Sequence, residues 1–81
     1  MDSVAVYCDA GGGILVSVDN RPSKVIGQLV LTHVGNYIAE WAGLDKIQHR
    51  TYPRLTAEDA CKDVVRHDYP NARFVWGGSA I

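Results

Sequence analysis

Apolar and polar positions change period along the chain. They alternate every second residue before Pro53 and recur at helical spacing after it. Val4, Val6 and Cys8 alternate with Ala5, Tyr7 and Asp9, which predicts a first strand broken by Ala10-Gly11-Gly12-Gly13. Ile14, Val16 and Val18 against Leu15, Ser17 and Asp19 predict a second, closed by the turn Asn20-Arg21-Pro22-Ser23. The third runs from about Val25 to His33. Its faces carry Val25, Gly27, Leu29, Leu31 and His33 against Ile26, Gln28, Val30 and Thr32. Both faces are rich in apolar residues, which argues for a central place in the sheet. After a tight turn at Gly35-Asn36, residues 37–42 return as a fourth strand, with Tyr37, Ala39 and Trp41 on one side. Gly43 interrupts as a bulge or bend. Residues 47–52 either continue the fourth strand or form a short strand of their own, and Pro53 ends them.

The segment Leu55 to Trp76 then reads as helix, proline stop and strand. Thr56 is a good N-cap, because its hydroxyl can accept from the backbone N–H of Glu58 or Asp59. Those two carboxylates face the positive end of the helix dipole, and Arg66 and His67 suit its negative end. Ala57, Ala60, Cys61, Val64 and Val65 form the apolar stripe. Pro70 forbids continuation and Asn71 makes the turn. The predicted helix therefore covers residues 57–68, about 18 Å at 1.5 Å per residue. The last strand is predicted over residues 72–76, and residues 77–81 as a frayed tail.

An amphipathic helix needs a sheet to hide its stripe. The expected fold class is α+β, one domain over residues 1–81 in the order β-β-β-β-α-β. The short early connections make the five-stranded sheet mainly antiparallel, with the helix on one face. The other face, partly apolar, is compatible with a protein partner or a homodimer.

At 81 residues and 47% hydrophobic content, the chain has the makings of one folded core rather than a disordered segment. The formal net charge of −1 lies too near neutral for a general nucleic-acid binder or for a polyanionic DNA mimic. Two cysteines far apart, Cys8 and Cys61, read as buried thiols in a reducing compartment. The start Met1-Asp2-Ser3 has no basic residue and no long apolar run behind it, which argues against a secretory signal, and no run approaches a membrane span.

Motif by motif, little chemistry emerges. The run Gly11-Gly12-Gly13 lacks the following helix and the Lys-Ser or Lys-Thr of a phosphate loop, so it reads as a hairpin loop. His33, His49 and His67 show no ligand spacing with one another or with a cysteine, so no metal site and no cofactor are expected. Cys61 lies on the apolar helix stripe, and Cys8 has no local catalytic signature. Trp41, Trp76, Tyr37 and Phe74 fit sheet packing better than an exposed platform. The expectation is a protein without enzymatic activity.

The segment Lys46 to Arg54 stands out because it contains no acid. Lys46, His49, Arg50, Tyr52 and Arg54 are the candidate partner-binding residues, with Arg21 and Lys24 able to extend the patch. On a strand, Lys46, Gln48, Arg50 and Tyr52 share one face. Arg and Tyr anchor protein interfaces, and they also contact phosphate and stack on bases. A solvated, charge-protected sheet edge is the plainer reading.

Length and layout, with the helix opening Leu55-Thr56-Ala57-Glu58-Asp59-Ala60 and the turn Tyr69-Pro70-Asn71-Ala72-Arg73, resemble the small anti-CRISPR proteins of phages and mobile elements. Those that inhibit type I surveillance complexes are the nearest in style. The resemblance implies a non-enzymatic protein in the cytoplasm of a bacterial host that occludes a Cas subunit sterically from target DNA or from its effector nuclease. It carries over no site residues, and the near-neutral charge departs from the strongly acidic members. A small nucleic-acid-binding domain using the same basic and aromatic strand face is the alternative, separable by its steep salt dependence.

Overall fold

The computed structural model describes residues 3–81. Seven elements follow in order: β1 Ser3–Cys8, β2 Gly13–Val18, β3 Lys24–Leu31, β4 Tyr37–Ala42, β5 Gln48–Arg50, α1 Ala57–Asp68 and β6 Arg73–Ser79. They build an α+β fold, one mixed sheet in the order β5-β4-β3-β2-β1-β6 with one helix. β1 to β5 are a meander of antiparallel neighbours, as short hairpins dictate. β6 lies parallel to β1. A parallel neighbour needs a long crossover, and α1 supplies it by passing from the β5 edge to the opposite edge.

The sheet has six strands, not five. β5 is a strand of its own, paired antiparallel with β4 through Glu40 with Arg50, Trp41 with His49 and Ala42 with Gln48. The last strand also outruns its expected end at Trp76. Gly78 and Ser79 pair with Tyr7 and Cys8 after a register shift, and the Ala80 N–H donates to the Cys8 carbonyl at 3.0 Å. Two glycines hid this extension, since they add no apolar side chain to the pattern. β3 stops at Leu31, which leaves His33 in the turn rather than on a strand.

α1 occupies the residues expected of it. The Thr56 hydroxyl accepts from the Asp59 N–H at 3.1 Å, and the Tyr69 N–H closes the far end on the Val65 carbonyl. Ala57, Ala60, Cys61, Val64 and Val65 are buried, and their small size lets the helix lie close on the sheet. Beneath it lie Val4, Val6 and Cys8 of β1, Ile14 and Val16 of β2, Leu29 of β3, and Ala39 and Trp41 of β4. Each fully buried Val or Ile contributes on the order of 1.5–3 kcal/mol of transfer free energy. Tyr37, Phe74 and Trp76 flank this core half-buried, so these three, with Trp41 inside it, pack the sheet.

Gly27 makes one close approach possible. It pairs with Trp41 across β3 and β4, and a Cβ there would overlap the Glu40 carbonyl oxygen and lie 2.6 Å from the Trp41 Cα. β3 is central by pairing but not doubly buried, because Val25, Val30 and Leu31 are exposed. The glycine loop is closed on itself: Asp9 Oδ1 accepts from the Gly11 and Gly13 N–H groups, the kind of donors a phosphate would need. Among the described residues no helix is long and apolar enough to cross a membrane.

Candidate functional site

Two ends of the sheet carry the chemistry. The acid-free segment is divided between them. Lys46 sits in the β4–β5 turn with φ near 63°, a left-handed conformation. Along β5 the side chains alternate, so Gln48 and Arg50 are exposed while His49 turns toward Trp41. Arg50 pairs with Glu40 at 3.6 Å, directly across the ladder. Tyr52 is 88% exposed. Arg54 bridges to Tyr37 and reaches Asp63 of α1 at 3.1 Å. The segment therefore keeps Arg50, Tyr52 and Arg54 toward the β3–β4 hairpin end, and sends Lys46 and His49 toward the other. Arg21 and Lys24 lie in and after the β2–β3 turn, both exposed.

At the hairpin end, Leu31 pairs with Tyr37, which bridges to Arg54. Leu31, Val34 and Leu55 are exposed around this row, Leu55 by 82%. Leu55 follows Arg54 in the chain, and the Arg54 charge is already matched by Asp63.

At the opposite end the β4–β5 turn meets the C-terminus of α1. His49 of β5 and His67 of α1 have ring centroids 4.1 Å apart, and Trp41 flanks both, at 5.3 Å from His49 and 5.6 Å from His67. Asp45 folds back from the turn, accepting from the Ile47 N–H and lying 2.8 Å from His49 Nε2. The Ile47 hydrogen bond, then that of His49, holds the Asp45 carboxyl below its ordinary pKa. Gly43 leaves the room this needs: a Cβ there would meet Asp45 Oδ1 at 2.6 Å and the His49 ring at 2.8 Å. Behind His67, Asp68 receives three donors: Trp41 Nε1 at 3.2 Å, the Leu44 N–H at 3.5 Å and His67 Nδ1 at 3.0 Å. Its side chain is only 4% exposed.

Among the described residues, Asp45, His49 and His67 form a group whose potential ligand atoms lie within 4.8 Å of one another. Sequence spacing could not reveal this set, because His49 and His67 meet only when the helix crosses back over the sheet. The usable signals were an acid and a histidine flanking a glycine-led turn, and a His-Asp pair closing a helix. Cys8 and Cys61 meet in the core, Sγ to Sγ 3.5 Å, with the Cys61 thiol pushed upward in pKa by its hydrogen bond to Cys8 and by burial. In comparisons with known proteins, no family model, no curated protein and no solved structure matches the chain.

Proposed function

We propose that the chain is a non-enzymatic binding protein that acts by covering a surface of another protein. The observation that carries this reading is the set of exposed side chains Leu31, Val34, Tyr52 and Leu55 at the end of the sheet where Tyr37 bridges to Arg54. Exposed apolar side chains at the same end of a sheet as a tyrosine and an arginine have the composition of interface anchors. The ion pairs of Arg50 with Glu40 and Arg54 with Asp63 favour a protein partner over nucleic acid. Cations already matched by carboxylates have less to gain from phosphates.

The resemblance in layout to anti-CRISPR proteins gives the reading its most specific form: steric inhibition of a type I CRISPR–Cas complex, blocking target DNA or the effector nuclease. The test uses purified type I surveillance complexes of several subtypes. Stoichiometric co-elution and loss of target-DNA binding are expected with at least one. Both should be lost in the Tyr52→Ala/Leu55→Ser double variant, whose thermal melting should match the wild type because both side chains are exposed. No association with any complex would overturn the specific form. Association unaffected by the double variant would remove this surface from the reading.

A further inference from the structure

We propose that Asp45, His49 and His67 form a binding site for a divalent transition-metal ion of the zinc class, with water completing the coordination. The donor set, two imidazoles and one carboxylate, suits Zn²⁺, Co²⁺ and Ni²⁺ rather than the all-oxygen shells of Mg²⁺ or Ca²⁺. In a tetrahedral zinc site with bonds of about 2.0–2.1 Å, neighbouring ligand atoms stand about 3.3 Å apart. His49 Nε2 and Asp45 Oδ2 are 2.8 Å apart, and the whole set lies within 4.8 Å. Coordination thus asks one pair to open by about half an ångström and the set to close slightly, changes that side-chain rotation supplies.

Independent features point the same way. His67 Nδ1 is occupied by Asp68, which leaves Nε2 as the nitrogen free for a metal. A carboxylate that receives the other ring N–H is the usual companion of a ligating histidine, since it fixes the tautomer and raises basicity. Asp68 is itself held by Trp41 Nε1 and the Leu44 N–H, so it is a rigid positioning residue and not a ligand. Gly43 provides the space that the Asp45 carboxylate and the His49 ring occupy together. His67 also lies in the last turn of α1, where the negative end of the helix dipole favours a cation. This site lies at the other end of β4 from the proposed partner surface and does not depend on it.

The experiment is a Co²⁺ titration of chelator-treated protein, read by visible d–d absorption and followed by displacement with Zn²⁺. One ion per chain is expected, with a micromolar dissociation constant and a rise in melting temperature on adding Zn²⁺. His67→Ala and His49→Gln should each weaken binding by about 100-fold or more while leaving the circular dichroism spectrum intact. Asp68→Asn should weaken it by roughly 10–100-fold and keep one-to-one stoichiometry, the signature of lost orientation rather than a lost ligand. His33→Ala, in the distant turn, should bind as the wild type does. Wild-type affinity no tighter than that of His67→Ala and His49→Gln, or equal loss with His33→Ala, would overturn the proposal.

Discussion

Replacing Gly27 with alanine adds one methyl group where the sheet has no room for it. Gly27 has no left-handed backbone requirement, so the cost is steric and not conformational. The new Cβ overlaps the Glu40 carbonyl and meets the Trp41 Cα and Cβ at 2.6 Å. These are backbone and near-backbone atoms of a paired strand, which cannot rotate away. Overpacking of this kind costs up to about 3 kcal/mol. Removing a glycine from the unfolded chain offsets at most about 1 kcal/mol of it. The net expectation is a loss of about 2 kcal/mol, equivalent to roughly 8–16 °C in melting temperature for a domain of this size. Urea unfolding followed by circular dichroism measures it. Gly11→Ala is the control, because a Cβ at Gly11 finds only an ordinary contact with Asp9 Oδ1 at 3.5 Å. That variant should be as stable as the wild type or slightly more so, giving the two alanines opposite signs. A Gly27→Ala protein within about 0.5 kcal/mol of wild type would refute the close approach of β3 and β4.

The metal-free Asp45→Asn variant should be less stable than the wild type near neutral pH, and the gap should close in acid. A carboxyl whose pKa is lowered on folding stabilises the fold above its unfolded pKa, and that stabilisation is lost as pH falls through the lower folded value. Paired melts from about pH 6 to pH 2 check this, and a gap independent of pH would count against the hydrogen bonds that Asp45 receives from the Ile47 N–H and makes with His49. For the thiols, a soluble thiol reagent should modify Cys8 and Cys61 no faster than the protein unfolds, and both promptly in denaturant, since both are buried. Rapid modification of the native protein would contradict their placement in the core.

What the sequence reveals and conceals follows from the range of each signal. The limits of α1 were legible because they are local: the Thr56 hydroxyl on the Asp59 N–H, the Val64 and Val65 stripe, and Pro70 after the last turn. The early strands were legible for the same reason. β5 was ambiguous because three residues cannot establish an alternation, and the turn before it depends on Lys46 adopting a positive φ. Alternation alone already set His49 on the face opposite Gln48 and Arg50; what it could not show is that pairing with Trp41 turns this histidine to the helix side. The histidine pair was invisible for a different reason: its partners belong to different layers, and only the crossover brings them within 4.1 Å.

Asp68 is the residue that most resists a purely structural account. Its carboxylate is 4% exposed, and placing charge there incurs a desolvation cost that an apolar side chain would avoid. Three donors from three places offset that cost: the β4 indole, the turn amide of Leu44 and the His67 ring. A buried, fully hydrogen-bonded carboxylate is weak support for stability by itself, since well-packed apolar groups often do as well. What an apolar residue could not do is accept a hydrogen bond from His67 Nδ1 and so hold the opposite nitrogen ready. Trp41 joins these parts, because its backbone packs against Gly27 while its indole flanks both histidines and donates to the carboxylate that orients one of them. The glycine in β3, the tryptophan opposite it and the acid that ends α1 therefore act as one supporting frame, and what they frame is a pair of imidazoles beside a carboxylate.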